Sequence, residues 1–334
     1  MRKNVYILSD AHLGSLAIAH GRTQERRLVR FLDEIKNKAA AIYLLGDMFD
    51  FWYEYKYAVP KGYTRFLGKL SELTDMGVEV HFFTGNHDIW MYGYLEEECG
   101  VIIHTKPTTV DIYDKVFYMA HGDGLGDHDP KFNFIRRVFH NRVCQRMFSA
   151  LHPRWGIWFG LTWAKHSRMK RADGKEPPYQ GEDKEALVKY TKKYMKTHPD
   201  IDYFIYGHRH IELDLMLSRK TRMMIIGDWI WQFTYVVFDG EHLLPRRIRR
   251  GREQAINLQQ PLRHNKRRHT ALHQAATAAT TRHGAQASTN EKKGEKRRRH
   301  DISDAHAFSP LLYAIRVKIT ADSLCLLQSS APRR

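Results

Sequence analysis

The 334 residues can bury the core of one large α/β domain or two modest ones; the three scattered cysteines (Cys99, Cys144, Cys325) lack CxxC spacing, which points to a reducing compartment and excludes a thiolate metal site. The net charge of +17 suggests nucleic acid until it is divided: residues 246–334 hold 20 of the 54 Lys and Arg but 6 of the 37 Asp and Glu, leaving 34 against 31 for residues 1–245. The core therefore makes no case for nucleic acid; no run reaches the roughly 18 apolar residues of a membrane span, and the short apolar run before Asp10 is no signal peptide, so a cytosolic chain is expected.

In chain order, residues 4–8 read as a strand that ends in Ser9-Asp10-Ala11-His12. An Asp-x-His pair at a strand end can turn both side chains toward one ion, because residues i and i+2 share a face. Residues 24–36 carry Leu28, Phe31, Leu32 and Ile35 at helical spacing. The uninterrupted apolar run 40–45 suits a strand buried on both faces, and Gly46 then frees the backbone to turn before Asp47. Asp47 thus stands at the carboxyl end of a strand, where open α/β sheets hold their ligands. The aromatics Phe51, Trp52, Tyr53, Tyr55 and Tyr57 fit loop packing and a pocket wall equally well. Residues 63–74 read as a second helix closed by Gly77, and residues 78–83 as a third strand.

That strand delivers Gly85-Asn86-His87-Asp88. Asn86 offers a neutral oxygen to a cation already served by carboxylates and imidazoles. His87 should point away from the ion, donating to a phosphoryl oxygen or protonating a leaving group, with Asp88 holding its ring. Residues 109–112 and 115–119 form a hairpin that presents His121, followed by a stretch with three glycines in six residues. Residues 132–171, dense in Phe, Trp, Arg and Lys, read as a helical hairpin that covers a hydrophobic substrate, lies on a membrane surface, or simply packs. Residues 172–182 form a loop and 184–196 a charged helix. Residues 203–206 deliver His208 and His210, a second i, i+2 pair, and residues 223–226 and 235–238 read as closing antiparallel strands joined by tight turns.

The folded domain is expected to span residues 1–250, with an insertion or lid at 132–181. Residues 251–334, rich in Ala, Thr, Gln and His and then in Lys and Arg, cannot bury enough apolar surface to offset their ordering entropy, and a disordered tail is expected. A single Gly-Asp or His after a strand is more often a turn than a ligand. Five apolar runs each ending in Asp, Asn or His describe a metal site assembled from strand ends.

Asp10-x-His12, Gly46-Asp47, Gly85-Asn86-His87-Asp88, His121 and Gly207-His208-x-His210, in this order, resemble the calcineurin-like metallophosphoesterase superfamily over residues 4–240. The resemblance implies a four-layer αββα sandwich with two metal ions at the strand ends. Asp10, His12, Asp47 and His210 would bind one ion and Asp47, Asn86, His121 and His208 the other, with His87 and Asp88 in catalysis. Gly46-Asp-Met-Phe-Asp-Phe-Trp52, Asp129 eight residues after His121, the insertion and Gly227-Asp228-Trp229 further resemble the UDP-2,3-diacylglucosamine diphosphatase family of lipid A synthesis. That likeness implies hydrolysis of a UDP-linked acylated sugar, Mn²⁺ as the metal, work at the cytoplasmic face of the inner membrane, and substrate contacts at Asn86, His87, Asp129, Ser167 and Lys170. The best-known branch of that family has Arg where this chain has His87, which leaves a phosphomonoesterase or nucleotide phosphodiesterase as the alternative. A non-catalytic scaffold is disfavoured, because every ligand position is filled.

Overall fold

The computed structural model describes residues 3–18, 21–126, 130–169 and 179–248. The chain enters through β1 (Asn4–Leu8), whose alternate side chains serve two cores: Val5 and Ile7 on one face, Tyr6 and Leu8 on the other. Helix α1 (Gly21–Ile35) buries Leu28, Phe31, Leu32 and Ile35, the stripe that the spacing predicts, and begins three residues earlier than expected. Strand β2 (Ala39–Leu44), helix α2 (Thr64–Asp75) and β3 (Glu79–Phe83) follow, then a short helix α3 (Tyr94–Cys99) and a three-residue strand β4 (Ile102–His104). The hairpin forms as β5 (Thr108–Ile112) and β6 (Lys115–Ala120).

The insertion is three helices rather than a hairpin: α4 (Pro130–His140), α5 (Arg142–Ser149) and α6 (Pro153–Met169). Asn141 starts α5, its side chain accepting from the N–H groups of Val143 and Cys144, and Pro153 opens α6 at the position where a missing N–H costs nothing. The remaining elements are α7 (Ala186–Tyr194), β7 (Tyr203–Tyr206), β8 (Leu213–Met216), β9 (Arg222–Ile225), β10 (Thr234–Phe238) and β11 (Leu243–Arg247).

Two sheets result, with strand orders β11-β10-β1-β2-β3-β4 and β5-β6-β7-β9-β8. Val5, Ile7, Tyr43 and Phe83 of the first sheet share one buried cluster with Phe117, Met119, Ile205 and Met224 of the second, so the sheets face each other. The outer face of the first is covered by α1, α2 and α3, and that of the second by α7, which completes four layers in the order α, β, β, α. Each fully buried side chain here, such as Ile7 or Phe117, contributes about 1.5–3 kcal/mol relative to exposure. The middle strands β1, β2 and β3 run parallel, as do β6, β7 and β9, and their carboxyl ends lie at one edge of each sheet.

One expected pairing fails. Residues 223–226 and 235–238 are not antiparallel neighbours: β9 lies parallel to β7 in the second sheet, while β10 lies antiparallel to β1 in the first. The Gly227-Asp228-Trp229 segment between them crosses from one sheet to the other instead of turning back. The aromatics after Asp50 do both things expected of them. Trp52 packs in the main core, whereas Phe51 and Tyr53 join Trp90 against Phe139, Phe148, Ile157 and Leu161 of the insertion. Two hydrogen bonds fix that docking, Trp90 Nε1 to the Phe139 carbonyl and Tyr53 Oη to the Gln145 carbonyl, each 2.9 Å.

Candidate metal centre

The residues singled out at strand ends converge in space. Asp10 and His12 follow β1, Asp47 follows β2, Asn86, His87 and Asp88 follow β3, His121 follows β6, and His208 and His210 follow β7. Asp10, His12, Asp47, His208 and His210 all adopt positive φ, between 44° and 68°, a left-handed conformation that is uncommon for residues other than glycine. Each such residue costs of order 1 kcal/mol or more. The loops nonetheless lock one another: Asp10 Oδ2 accepts from the His208 N–H at 2.9 Å and Asp47 Oδ1 from the His87 N–H at 2.8 Å. Gly85 is required because a Cβ there would lie on the Asp47 carboxylate.

Two overlapping groups of acceptors emerge. In one, Asp10 Oδ1 lies 3.3 Å from His210 Nε2 and 3.7 Å from His12 Nε2, and the two ring nitrogens are 3.2 Å apart. His12 Nδ1 faces Asp50 Oδ1 at 3.2 Å and His210 Nδ1 faces Asp228 Oδ2 at 3.5 Å. A carboxylate beside Nδ1 favours the ring proton there, which leaves the Nε2 atoms of both rings to face the same point. Asp10 Oδ1 is itself buried and makes no hydrogen bond. In the other group, His121 Nδ1 donates to the Leu45 carbonyl at 2.8 Å, which leaves Nε2 to face Asp47 Oδ2 at 3.4 Å, Asn86 Oδ1 at 3.3 Å and His208 Nδ1 at 3.2 Å. Asp47 Oδ2 also lies 3.6 Å from His12 Nε2, so one carboxylate oxygen stands between the groups. Lone pairs facing lone pairs at these distances call for cations, and mixed imidazole, carboxylate and amide oxygen donors suit borderline divalent ions. Asp10-His12-His210, His12-Asp47-His87 and Asp47-His121-His208 each bring their ligand atoms within 4.8 Å of one another.

The crowding of carboxylates and imidazoles shifts both kinds of group: burial pushes the His121 imidazole down, but Asp47 and Asp10 outweigh it and hold it well above the usual range. Burial pushes the Asp10 carboxyl up, but His210 and His12 outweigh it and bring it down to about 2. Asp47 is likewise held well below the usual range, because His121 and His87 outweigh its burial. Burial and the neighbouring His121 push the His208 imidazole down to about 4.

His87 and Asp88 differ from expectation. The His87 ring sits edge-on to that of His12, with centroids 4.8 Å apart, and its Nδ1 donates to the Asp50 carbonyl at 2.8 Å. It therefore borders the cluster rather than pointing away. Asp88 does not hold that ring. Its carboxylate accepts instead from the backbone N–H groups of Asp47, Met48, Phe49 and Gly85 at 2.8–3.3 Å, tying the β2 loop to the β3 loop. The backbone bends over residues 86–88, which brings the side chain back to the Gly85 N–H, and burial with the Asp47 charge pushes its carboxyl up to about 7.

Beside the cluster lies a cleft of about 350 Å³ whose lining includes Asn86, His87 and His208. Phe51, Trp90, Phe139, Phe148, Phe159, Trp163 and Ser167 also line it. Asp129 and Lys170, the other expected substrate contacts, lie outside the described residues. Three groups were not foreseen: Asp50 and Asp228 behind His12 and His210, and Glu185, which binds Arg209 between the two histidines through Nε at 3.0 Å and Nη2 at 3.1 Å. Asp50 and Asp228 stand within quoted motifs, three residues after Asp47 and one after Gly227; nothing local marks Glu185.

The calcineurin-like phosphoesterase family matches residues 3–212. The chain is 42% identical over 254 residues to the UDP-2,3-diacylglucosamine hydrolase of Porphyromonas gingivalis, covering 73% of this chain and 97% of that one. It is 28% identical over 225 residues to the protein of the same name from Neisseria gonorrhoeae, covering 67% and 89%, and 27% identical over 234 residues to that of Haemophilus influenzae, covering 68% and 91%.

Proposed function

The chain belongs to the calcineurin-like phosphoesterase family of metal-dependent hydrolases, and we propose that it hydrolyses the pyrophosphate bond of UDP-2,3-diacylglucosamine to UMP and 2,3-diacylglucosamine 1-phosphate, a step of lipid A synthesis. The observation that carries this reading is the aromatic-walled cleft opening on the ligand cluster, which suits a substrate with a diphosphate at one end and acyl chains at the other. The identity to the Porphyromonas gingivalis protein along 97% of that protein's length supports the same substrate.

Asp10, His12, Asp47 and His210 would hold one ion and Asp47, Asn86, His121 and His208 the second, with Mn²⁺ the metal that we propose. When bound, two such ions acidify a water and offset the charge of the phosphoryl oxygens. Asp47 can serve both because a carboxylate has lone pairs to share and an imidazole does not. Asp50 and Asp228 fix the rings of His12 and His210, and the Leu45 carbonyl fixes His121. His87, anchored through Nδ1, has Nε2 for the substrate; burial pushes its imidazole below the usual range, and the negative charge of a bound phosphoryl group would draw the proton back, so that it donates to a phosphoryl oxygen or to the bridging oxygen as the P–O bond breaks. Water's oxygen ends on UMP, and the bridging oxygen leaves with the acyl-sugar phosphate. Asp88 acts on the chemistry only through the loops it ties together.

Helices α4, α5 and α6 would cover the acyl chains. Their outer surface exposes Trp155, Trp158, Met147 and Val143 beside Arg142, Arg146 and Arg154, a combination suited to the headgroup region of an anionic bilayer. No helix among the described residues is long and apolar enough to cross a membrane, so we propose a peripheral association at the cytoplasmic face of the inner membrane. The test is direct. Purified chain with Mn²⁺ should release UMP from UDP-2,3-diacylglucosamine, and EDTA should stop it. Turnover of aryl phosphates with none of the nucleotide sugar would favour a general phosphoesterase instead.

A further inference from the structure

Among the described residues that line the cleft, Arg136 is the single Lys or Arg. It also lines a smaller cavity of about 60 Å³ together with Gly85, His121, Gly122 and Asp123, so it borders both the loop of one proposed metal ligand and the cleft with the apolar walls. Two features hold it there. Asp123 Oδ2, on the loop just after His121, accepts from Arg136 Nε at 3.0 Å. Gly124 (φ 71°) lets the side chain lie across the same loop: a Cβ at that position would meet Arg136 Nε at 3.0 Å and Cδ at 3.2 Å. The glycine-rich stretch after His121 thus seats an arginine contributed by α4, the first helix of the insertion. An acceptor on Nε orients the planar fork, and the two terminal amino groups supply the other four of its five N–H donors. With 43% of its side chain exposed, Arg136 is open to a ligand.

We propose that Arg136 binds the oxygens of the phosphate that leaves, the one attached to the acyl sugar, and so selects substrates in which a second phosphate adjoins an acyl-bearing group. The inference rests on the pyrophosphatase reading above and names the residue that reads its substrate. A fork matched to phosphate geometry suits this position better than a lysine would. Lys165, also in the insertion, is not among the cleft's lining residues.

The test compares two substrates of the metal-loaded full chain, UDP-2,3-diacylglucosamine and bis(4-nitrophenyl) phosphate, which has one phosphate only. Turnover of the first by the unmodified chain tests the underlying reading; its absence refutes that reading, not the arginine alone. Given turnover, Arg136→Gln should lower kcat/KM for the acylated substrate about 10- to 100-fold, mostly through KM. The loss on the diester should be much smaller, so the ratio between the substrates changes. Arg136→Lys should recover part of the loss, and KM for the acylated substrate should rise with salt in the unmodified chain but little in Arg136→Gln. A structural role would move the melting temperature and both substrates together. Equal losses on the two substrates, or no loss on either, overturn the proposal. Should Arg136→Gln fail to fold, Arg136→Lys carries the same comparison, because a charge without the fork must still shift the ratio.

Discussion

Replacing Asp50 with Asn separates the two proposed ions. Asp50 and His12 are both buried, and Asp50 Oδ1 lies 3.2 Å from His12 Nδ1. The carboxylate keeps the proton on Nδ1 and makes Nε2 a stronger donor toward the point shared with Asp10, Asp47 and His210. Asn keeps the shape and an acceptor oxygen but removes the charge, while the Asp50 backbone carbonyl that holds His87 stays in place. A carboxylate behind a ligating histidine is worth about 10- to 100-fold in metal affinity, or about 1.4–2.7 kcal/mol. Asp228→Asn should act on the same ion through His210, with a smaller effect because its contact is longer, 3.5 Å. Neither change touches His121, which is anchored by a backbone carbonyl. Titration of Mn²⁺ into EDTA-treated, dialysed protein by calorimetry should therefore show one ion weakened and the other unchanged. Asp47→Ala in the same assay should weaken both and abolish turnover. Equal weakening of both ions by Asp50→Asn, or unchanged affinity in both Asn variants, would refute the division of ligands between two sites.

A chain stopped after Arg250 should fold and turn over substrate at a rate close to the full chain; failure to fold, seen by circular dichroism, would show that residues 251–334 contribute to the domain. Phe159→Ser with Trp163→Ser should raise KM for the acylated substrate, by about 0.8 kcal/mol for each methylene no longer covered, while a small soluble diester suffers less. Equal losses with a lowered melting temperature would instead make these residues plain packing. Glu185→Ala removes the bidentate acceptor of Arg209 and should cost of order 3 kcal/mol of stability; a melting temperature and metal content equal to the unmodified chain would show that the pair does not position His208 and His210.

Much of the candidate site was legible because each strand ends where its apolar run ends. Asp10, Asp47, Asn86, His121 and His208 follow runs that are buried on both faces, and parallel packing then brings their loops to one edge. Partner choice was not legible in the same way. Residues 223–226 and 235–238 are both short apolar runs with a tight Gly-Asp after the first, and local sequence favours a hairpin. What sends β10 to the other sheet is distant: Val236 and Phe238 pair with Ile7 and Val5, over two hundred residues earlier. The short edge strands β4 and β8 fail for a related reason, since three or four half-buried residues carry too little periodicity to stand out.

Asp88 is the most instructive case, because the sequence puts it beside the right residue for the wrong purpose. Adjacent side chains on an extended strand point apart, and a carboxylate one residue after a catalytic imidazole invites pairing only if the backbone turns. It does turn, over residues 86–88, and the turn brings Asp88 to four N–H groups of two loops. Those groups have no strand partner, because the chain has just left β2 and β3; left unpaired in a buried site they would cost about 1–3 kcal/mol each. One carboxylate answers them all. It thereby fixes the loop on which Asp47 holds φ at 51°, a conformation that persists only where the surroundings over-determine it. The residue that looks like a catalytic partner is better understood as the support that allows Asp47 to stand between two ligand groups. The carbonyl of Asp50, which any residue could supply, orients His87 in its place.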